Sequence, residues 1–464
     1  MVATNEETPA AAATVGTEAA PGTEAALGTE AAPGTEAAPR AQRTAPGARP
    51  GGIGSVGRRD WATWPKYEAA VLGFRNYWYP VTWSRKVGAK PIAVTVGGEK
   101  IMLIREKGQI RALHDRCPHR GVPLSHPMAT QEFPGTWTCC YHGWTFDLET
   151  GVLVAAITDG PDSPICGKVA VRTYPVQERL GLVFVWLGDE TPRPLEDDVP
   201  AELLSPTAVV AGRITTRPGN WRFGAENGFD DGHAKYLHRN ALWTKRVKMP
   251  VWSKIRVVRD GPWITRMKDA MFYEAEFPGL GAWPPKRWYR NRKGNKTKVS
   301  LRLPGTLRVA YETWTHFEWW VPTGEDEHIY VQLAAMDRGR MSNLRFRIYY
   351  RLWVRWVFHG MFNDEDRLMV DVMDAPPERL YRPDVSITEW RKLVEDTARG
   401  APITEAYRPT IAGLRTIPFE VSGSASEESM AAAKPGAAAA PGATAAPGTP
   451  GTPESRPTAS AQGS

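Results

Sequence analysis

Two short segments, each with one cysteine and one histidine, contain the residues of this sequence best suited to bind a metal. The first, CPHRG, supplies Cys117 and His119, and the second, CCYHGW, supplies Cys139, Cys140 and His142. Two thiolates and two imidazoles suit zinc or iron. A two-iron, two-sulfide cluster can also place both thiolates on one iron and both imidazoles on the other. The residue types therefore leave open a zinc ribbon and an iron–sulfur centre.

A second set of possible metal ligands lies in the segment ENGFDDGHAKYLH, residues 226–238. It holds Asn227, Asp230, His233 and His238. On an ideal helix, residues five apart point in directions about 140° apart, so two such imidazoles converge only through long reach or a distorted turn. Taken alone, each histidine could equally be a packing or surface residue.

The two cysteine loops resemble the motif of Rieske proteins, in which Cys-x-His is followed by Cys-x-x-His. The register of that motif assigns Cys117, His119, Cys139 and His142 as cluster ligands, because Cys139 stands three residues before His142. Cys140 is then expected to be a packed free thiol. The resemblance implies a [2Fe-2S] cluster that passes single electrons.

The second segment resembles the Asp-x-x-His-x4-His segment of the Rieske non-haem iron oxygenases. That family binds a mononuclear Fe(II) with two histidines and one carboxylate, which leaves positions open for O₂. The resemblance implies His233 and His238 as iron ligands. From the downstream run FNDEDRLMVD it implies Asp366 as the third ligand, with Asp364 as the second choice.

Two further residues take expected catalytic roles from the same resemblance. Asp230 matches an aspartate that hydrogen-bonds the first iron histidine and also a Rieske histidine of the neighbouring subunit. This implies that Asp230 joins His233 to His142 of another copy, within a homotrimer. Asn227 matches an asparagine that lies near the iron.

The elements that must position these residues differ between the two halves of the chain. Residues 75–187 read as short β-branched and aromatic strands separated by glycines, which predicts an antiparallel β module. Residues 208–420 mix strands with helical stretches around 225–239 and 343–372, which predicts an α+β domain. The resemblance implies a Rieske β domain followed by a helix-grip catalytic domain, an antiparallel sheet over a long helix.

Composition divides the 464-residue chain into four parts. Residues 1–59 and 422–464 are rich in alanine, proline and glycine and nearly lack larger apolar side chains, so we expect disordered tails. Residues 60–191 form the expected Rieske domain and 192–421 the mononuclear iron domain. The segment GIGSVG at 52–57 lies in the first tail, without the strand and helix that a dinucleotide site requires, so no NAD or flavin site is expected.

Charge and cysteine usage narrow the class of protein and its compartment. The net charge of +7 comes from 58 basic and 51 acidic residues without a long basic block, which argues against a nucleic-acid binder. No run of 18 apolar residues and no secretory signal occurs, so we expect no membrane span. Four cysteines, two of them adjacent, do not form a disulfide scaffold, and a cytoplasmic protein is expected.

The resemblance implies a terminal oxygenase. A ferredoxin or an NAD(P)H-dependent reductase would deliver electrons, and O₂ would hydroxylate an aromatic or heteroaromatic substrate at the Fe(II). The stretch GFRNYWYPV at 73–81 is similar to the N-terminus of carbazole-dioxygenase-like oxygenases. Oxidative carbocyclisation of a pyrrolic natural product, as in the prodiginine cyclases, is an alternative outcome on the same scaffold.

A protein without catalysis is the alternative of another class. A Rieske electron carrier or a zinc-binding protein would not need the long second half of the chain with its own ligand set. In that half, the segment TWTHFEWW offers Trp314, Phe317, Trp319 and Trp320 as candidate pocket aromatics, with ordinary core packing as the other interpretation.

Overall fold

The described part of the chain covers most of the two expected domains and none of the tails. The computed structural model describes residues 61–283, 293–294, 297–337, 343–373 and 378–404. The two predicted tails and the GIGSVG segment therefore lie outside the described residues.

The first half consists of short strands that pair into three antiparallel sheets. Within the described residues each of these sheets has three strands, in the orders β1-β9-β8, β2-β3-β4 and β5-β6-β7. Alternating β-branched and aromatic residues favour these strands because such side chains fit a pleated, half-buried surface. Their bounds are β1 Tyr77–Trp83, β2 Ile92–Val96, β3 Glu99–Glu106, β4 Gln109–His114, β5 Thr136–Thr138, β6 Trp144–Asp147, β7 Leu153–Ala156, β8 Val176–Arg179 and β9 Leu182–Leu187.

The β5-β6-β7 sheet carries a hydrophobic core separate from the main one. Met102, Leu113, Trp137 and Phe146 are buried in it, together with Cys117 and Cys139 of the two cysteine loops. The first segment follows β4, and the second connects β5 to β6. Packing of this small core therefore fixes the two loops relative to each other.

A seven-stranded antiparallel sheet dominates the second half of the described chain. Its order is β10-β20-β19-β18-β17-β13-β12, and every neighbouring pair is antiparallel. Two small two-stranded sheets, β14-β15 and β11-β16, lie outside it. The bounds are β10 Ala208–Pro218, β11 Val247–Lys248, β12 Trp252–Asp260, β13 Trp263–Phe272, β14 Ala275–Phe277, β15 Gly281–Trp283, β16 Lys293–Gly294, β17 Lys298–Arg302, β18 Thr306–Ala310, β19 Thr315–Gly324 and β20 Glu327–Asp337.

Helices cover the large sheet and carry the second ligand set. The bounds are α1 Pro65–Ala69, α2 Ala201–Leu204, α3 Trp221–Phe229, α4 His233–Tyr236, α5 Leu242–Arg246, α6 Asn343–Tyr349, α7 Asn363–Val370 and α8 Val385–Thr397. A π-helical segment, Tyr350–Phe362, joins α6 to α7 into one long run. Short 3₁₀ turns are Trp61–Thr63, Ser84–Lys86, Leu195–Asp197, Leu237–Asn240 and Arg382–Asp384.

The long helical run packs its apolar face on the sheet, as a helix-grip domain requires. Phe346, Tyr350, Val354 and Phe358 are buried against residues of β10 and β20. Spacings of four residues keep these side chains on one face of the run. The predicted order of an antiparallel β module followed by an α+β domain is confirmed, and so are both predicted helical stretches.

One hydrophobic core runs through both halves of the described chain. Trp78 and Trp186 of the first half share it with Trp221, Trp320 and Trp390 of the second. Among the described residues, no helix is both long and apolar enough to span a membrane.

Candidate metal centres and active-site cavity

The two cysteine loops have matching backbone geometry. The carbonyl oxygen of Cys117 accepts from the N–H of Gly121 at 2.8 Å, and that of Cys139 accepts from the N–H of Gly143 at 3.1 Å. Both glycines have positive φ, 76° and 66°, a region that glycine enters without steric cost. Each loop is therefore a turn closed four residues after its cysteine, which puts Cys139 rather than Cys140 in the position equivalent to Cys117.

The sulfurs of the two loops face inward and the imidazoles face outward. Cys117 and Cys139 are each 2% exposed, whereas His119 is exposed and His142 half-buried. The ring centroids of the two histidines lie 4.3 Å apart, and Trp144 stacks on His119 at 4.8 Å. Two inner thiols and two adjacent outer imidazoles form a donor set that fits a [2Fe-2S] cluster with its two irons at different depths.

The thiol of Cys139 is the more acidic of the inner pair. Its hydrogen bond with Cys117 and the backbone N–H groups of Tyr141 and His142 lower the pKa of Cys139 to about 6, although burial acts in the opposite direction. Thiolate, not thiol, is the metal-binding form. The backbone around the second loop therefore favours the form that a cluster needs.

Cys140 lies outside this pair. It is half-buried, and its Sγ lies 3.5 Å from Nδ1 of His126. All four cysteines of the chain are free thiols. The arrangement agrees with the expectation of a packed free thiol at this position.

The segment between the second pair of histidines contains the distorted turn that their spacing requires. Helix α4 ends at Tyr236, and a 3₁₀ turn follows in which His238 has φ −85° and ψ 16°. This departure from helical geometry brings the imidazoles of His233 and His238 to a ring-centroid distance of 5.3 Å. A regular helix would have kept them apart.

The imidazoles of His233 and His238 converge on Asp366 at the start of α7. One ligand atom from each of the three residues lies within 4.8 Å of the other two. Oδ1 of Asp366 is 3.1 Å from Nε2 of His238 and 3.5 Å from Nε2 of His233. Two imidazoles and one carboxylate on one side of a centre form the set of donors that non-haem iron accepts.

Two of these three atoms lack the hydrogen bonds that burial normally demands. Within the described residues, Nε2 of His238 and Oδ1 of Asp366 are buried without a hydrogen bond, although they lie 3.1 Å apart. Buried polar atoms are normally paired, and an unpaired one is costly. A bound cation would satisfy both atoms, so the residues present fit a mononuclear iron.

A carboxylate holds each imidazole by its other nitrogen. Nδ1 of His233 lies 2.8 Å from Asp230, and Nδ1 of His238 lies 2.9 Å from Glu365. An ionised carboxylate only accepts hydrogen bonds, so each Nδ1 carries the proton and each Nε2 keeps its lone pair. Metal-binding histidines are typically oriented in this way.

Asp230 is held in its ionised form. It accepts from the backbone N–H groups of Gly232 and His233 at 2.8 and 2.9 Å. Burial alone would raise its pKa, but the side chain of His233 and these N–H groups lower the pKa to about 2. Asn227 lines the same cavity and contributes a hydrogen bond that lowers the pKa of Asp366.

Asp364, the second choice for the third ligand, belongs to a different cluster. Its Oδ1 accepts hydrogen bonds from Arg213 at 2.7 Å and from Arg217. These arginines come from β10. The geometry brings Asp366 and not Asp364 to the imidazoles.

A cavity adjoins the histidine–carboxylate centre. Trp320 and Tyr330 stack at 5.7 Å in its wall, and Phe358 and Phe362 stack at 5.3 Å. Two stacked aromatic pairs favour a flat, apolar ligand. The wall also includes Asn227, Asp230, His233, His316, Glu318, Asn363 and Asp366.

The predicted pocket aromatics of TWTHFEWW divide between cavity and core. Trp320 lines the cavity, while Trp314, Phe317 and Trp319 are buried in hydrophobic clusters. Neighbouring residues of a strand point to opposite faces. The core interpretation is therefore correct for Phe317 and Trp319 on the opposite face of β19, and also for Trp314, which precedes the strand. The same alternation places two polar residues, His316 and Glu318, in the cavity wall, and the search for aromatic residues did not include them.

Glu226 forms buried contacts with other side chains and does not line the cavity. It binds Nε of Arg391 on α8 at 2.6 Å and accepts from the hydroxyl of Tyr67 on α1 at 2.7 Å. Arg391 is also paired with Glu378. This buried network anchors α3, the helix that leads into Asn227 and Asp230.

Comparison with known proteins agrees with this geometry. The Rieske [2Fe-2S] domain family matches residues 77–175, and the homotrimeric ring hydroxylase family matches residues 186–260 and 263–402. The terminal oxygenase component CarAa of carbazole 1,9a-dioxygenase from Sphingomonas sp is 35% identical over 377 residues, which cover 75% of this chain and 97% of the relative.

Solved structures give the same result. The terminal oxygenase of carbazole 1,9a-dioxygenase from Novosphingobium sp. KA1 has a TM-score of 0.66 and 34% identity, covering 74% of this chain and 98% of that one. A reduced complex between oxygenase and ferredoxin in carbazole 1,9a-dioxygenase has a TM-score of 0.66 and 29% identity, covering 74% and 94%. The chain therefore belongs to the Rieske non-haem iron oxygenases, as a terminal oxygenase of the ring-hydroxylating family.

Proposed function

We propose that this chain hydroxylates a flat aromatic or heteroaromatic substrate with O₂ in the cavity beside His233, His238 and Asp366. The observation that carries the proposal is the convergence of these three residues at the end of a cavity with two stacked aromatic walls. When bound, a mononuclear iron supplies O₂ activation there and a [2Fe-2S] cluster supplies single electrons.

The proposed ligands form two sets, one for the iron and one for the cluster. His233, His238 and Asp366 would hold the iron, with Asp230 and Glu365 fixing the two imidazoles through Nδ1. Cys117, His119, Cys139 and His142 would hold the cluster. The division is supported by the unpaired buried atoms at the first centre and by the inner thiols and outer imidazoles at the second.

The aromatic and the polar residues of the cavity would have different roles. The pairs Trp320–Tyr330 and Phe358–Phe362 would orient a planar ring and exclude water from the reacting carbon. Asn227 would donate a hydrogen bond to Asp366, whose pKa is lowered against the effect of burial mainly by His238 and His233. The substrate would thus be positioned by its faces and oxidised at an edge.

A homotrimer is the proposed assembly, in keeping with the description of the matching family. In it Asp230 would hydrogen-bond both His233 of its own chain and His142 of a neighbouring copy. Exposed aromatic side chains support contact between these two surfaces: Tyr236 and Tyr381 are exposed near Asp230, and Tyr141 lies 3.9 Å from the ring of His142. Sedimentation should give about three times the chain mass of 51.3 kDa.

Electrons would come from a ferredoxin, fed by an NAD(P)H-dependent reductase. The support is the oxygenase–ferredoxin complex among the similar structures. We place the enzyme in the cytoplasm, since its four free thiols suit a reducing compartment. The proposed domain limits are residues 60–191 for the Rieske domain and 192–421 for the iron domain, with tails at 1–59 and 422–464.

The test is turnover under ¹⁸O₂ with a surrogate ferredoxin and reductase and a panel of aromatic and pyrrolic compounds. A product that contains ¹⁸O supports hydroxylation. A product that has lost two hydrogens and gained no oxygen would instead identify oxidative ring closure, the alternative outcome. Electron consumption with no change in any compound of the panel would contradict the proposal.

A further inference from the structure

The turn that carries Asp230 lies between two helices, where the regular series of helical hydrogen bonds is interrupted. Helix α3 ends at Phe229, and α4 begins at His233. Asp230 itself is extended, with φ −68° and ψ 141°. The last carbonyl groups of a helix lack partners within that helix, and a turn at this point moves easily unless other groups hold it. Asp230 therefore depends on contacts from elsewhere in the fold for a fixed position.

Two cations of strand β13 hold this turn from the sheet. The guanidinium of Arg266 donates to the carbonyl oxygen of Phe229 at 2.6 Å and lies 3.2 Å from the carboxylate of Asp231. The ammonium of Lys268 lies 2.6 Å from the same carboxylate. Arg266 and Lys268 stand two residues apart on β13, so both extend from one face of the sheet. The residues immediately before and after Asp230 are thus both attached to β13.

These contacts are shielded from solvent. The side chains of Arg266, Asp231 and Lys268 are 6%, 7% and 14% exposed. An exposed ion pair contributes little, but loss of one partner from a buried pair leaves an uncompensated charge. Without Arg266 or Lys268, the negative charge of Asp231 would be partly unbalanced beside that of Asp230. The two carboxylates would then repel each other and displace the turn.

Asp230 is in turn attached to α4 by its own carboxylate. It accepts from the N–H groups of Gly232 and His233 at 2.8 and 2.9 Å, and it lies 2.8 Å from Nδ1 of His233. A displacement of the turn would therefore change the position of this carboxylate and weaken its hydrogen bonds. The two cations of β13 consequently determine where Asp230 stands relative to the sheet.

Neither cation belongs to the proposed ligand sets. Arg266 and Lys268 line the same cavity as the iron ligands, but the contacts described for their charged groups go to the turn. The guanidinium also lies 5.9 Å from the ring centre of Phe229. Since Asp231 already binds both charged groups, they indicate a positioning role and not a site for a substrate anion.

We propose that Arg266 and Lys268 are positioning residues that hold Asp230 where it can hydrogen-bond both His233 and His142 of a neighbouring copy. The inference rests on the proposed function, in which Asp230 joins the two centres within a homotrimer. It adds to that function the two side chains that attach the joining residue to the large sheet. They act through the turn and are not proposed as ligands.

The first measurement is hydrogen–deuterium exchange of the backbone N–H groups of Gly232 and His233 in the holoenzyme. These groups donate to Asp230, so their exchange reports whether its carboxylate keeps its position. In Arg266→Met both contacts of the guanidinium are lost. Exchange of this segment should become at least about tenfold faster, because hydrogen bonds to a charged group are weakened. Lys268→Met should accelerate it to a smaller extent.

The second measurement is the reduction potential of the cluster in the holoenzyme without substrate. A carboxylate that hydrogen-bonds a cluster histidine lowers this potential, because its negative charge disfavours the added electron. Displacement of Asp230 in Arg266→Met should therefore raise the potential, as removal of the charge in Asp230→Asn should. Loss of the positive charge of Arg266 would by itself lower the potential. The sign of the shift thus separates a displaced Asp230 from a direct effect of the missing cation.

A double-mutant cycle tests whether the cations act through Asp230. In the Asp230→Asn background, Arg266→Met should raise the potential no further. Arg256→Met is the matched control, since it removes the guanidinium of an exposed arginine–aspartate pair on the neighbouring strand β12. It should leave both the exchange and the potential at their wild-type values. If Arg266→Met does not fold, Lys268→Met replaces it in every comparison.

Unchanged exchange, or an unchanged or lowered potential, in the folded Arg266→Met or Lys268→Met protein would overturn the positioning role. A further rise of the potential in the Asp230→Asn background would also overturn it. If Asp230→Asn itself keeps the wild-type potential, the proposed contact with His142 of a neighbouring copy is wrong, and the positioning role fails with it. A shift in Asp230→Asn without one in the two cation variants contradicts only the positioning role.

Discussion

Asp364 and Asp366 lie two residues apart on the same helix, and their carboxylates serve different networks. Asp366 approaches Nε2 of His238 to 3.1 Å, while Asp364 is held by Arg213 at 2.7 Å and by Arg217. Residues two apart on a helix point to nearly opposite sides. One acidic run thus provides both a candidate metal ligand and an anchor of α7 on the sheet.

Exchange of these two carboxylates for amides should separate their roles. Asp366→Asn should remove bound mononuclear iron and reduce turnover by at least about 100-fold, because a neutral amide is a poor ligand for Fe(II). Asp364→Asn should keep the iron and lower only the stability, by about 1–3 kcal/mol, because two arginines lose a charged partner. Metal analysis and melting curves of both variants decide the matter; equal iron loss in the two would count against Asp366.

Substitution of the two adjacent cysteines should also have clearly different effects on the cluster. Cys139→Ser should abolish the visible absorbance of the cluster, because this buried thiol faces Cys117. Cys140→Ser should leave the spectrum nearly unchanged, since its sulfur contacts His126 and not the inner pair. Absorbance and electron paramagnetic resonance of the reduced proteins provide the measurement. Bleaching in Cys140→Ser with colour retained in Cys139→Ser would reverse the assignment.

Replacement of Asp230 should uncouple the two centres without emptying them. In Asp230→Asn the single amide oxygen can accept from Gly232 or from His233 but not from both, and the charge that orients the imidazole is lost. Loss of such a partner typically costs about 10- to 100-fold in activity or metal affinity. We expect turnover to fall by at least this factor while cluster colour persists. Stopped-flow oxidation of the pre-reduced cluster by O₂ with substrate present should slow in parallel; an unaltered rate would contradict the role.

Loss of the buried pair of Glu226 and Arg391 should lower the stability of the protein and leave the visible absorbance of the cluster unchanged. Glu226→Gln leaves Arg391 with a single acidic partner, Glu378, in a fully buried position. Breaking a buried pair is costly, and we expect a loss of about 3 kcal/mol in unfolding free energy. Glu68→Gln, an exposed change on α1, serves as the control and should stay within about 0.5 kcal/mol. Denaturant titration compares the two, and equal effects would rule out the anchoring role.

Stability should fall on the acid side through His328. Burial and Arg217 lower its pKa to about 4, against the hydrogen bond to Gly219. Between a pH near 6.5, the ordinary pKa of histidine in the unfolded chain, and a pH of about 4, His328 is protonated in the unfolded chain but not in the folded chain. The free energy of unfolding therefore decreases as the pH falls through this range. The residue should account for roughly 2 kcal/mol between pH 7 and pH 5. His328→Asn should flatten that part of the profile in denaturant titrations, and an identical profile would disprove the assignment.

The sequence was most informative where metal chemistry restricts residue type and spacing. CPHRG and CCYHGW could be assigned to one centre because few other structures require a cysteine and a histidine in each of two loops. The five-residue spacing of His233 and His238 left two ways for the imidazoles to converge, long reach or a distorted turn, and the φ and ψ of His238 show the distorted turn. These features depend on local chain geometry, which neighbouring residues determine.

Features that depend on distant contacts could not be predicted in the same way. The hydrogen bond of Glu365 to His238 forms only when α7 packs beside the 3₁₀ turn, and the residues around Glu365 do not indicate it. The cavity-facing row of β19 contains His316, Glu318 and Trp320. The aromatic residues of TWTHFEWW suggested Phe317 and Trp319 as pocket residues as well, but both are buried in the core. Period-two alternation could have separated the two faces, although not which face meets the cavity.

The central claim is that two separate metal centres are held by two separate ligand sets on this chain. Iron and labile sulfide analysis of wild-type protein and His233→Ala, together with the visible spectrum, tests it most directly. The account predicts about three irons and two sulfides per wild-type chain, and about two of each in His233→Ala with unchanged red-brown colour and no turnover. Colourless wild-type protein that contains zinc, or His233→Ala that retains its third iron and its turnover, would contradict it.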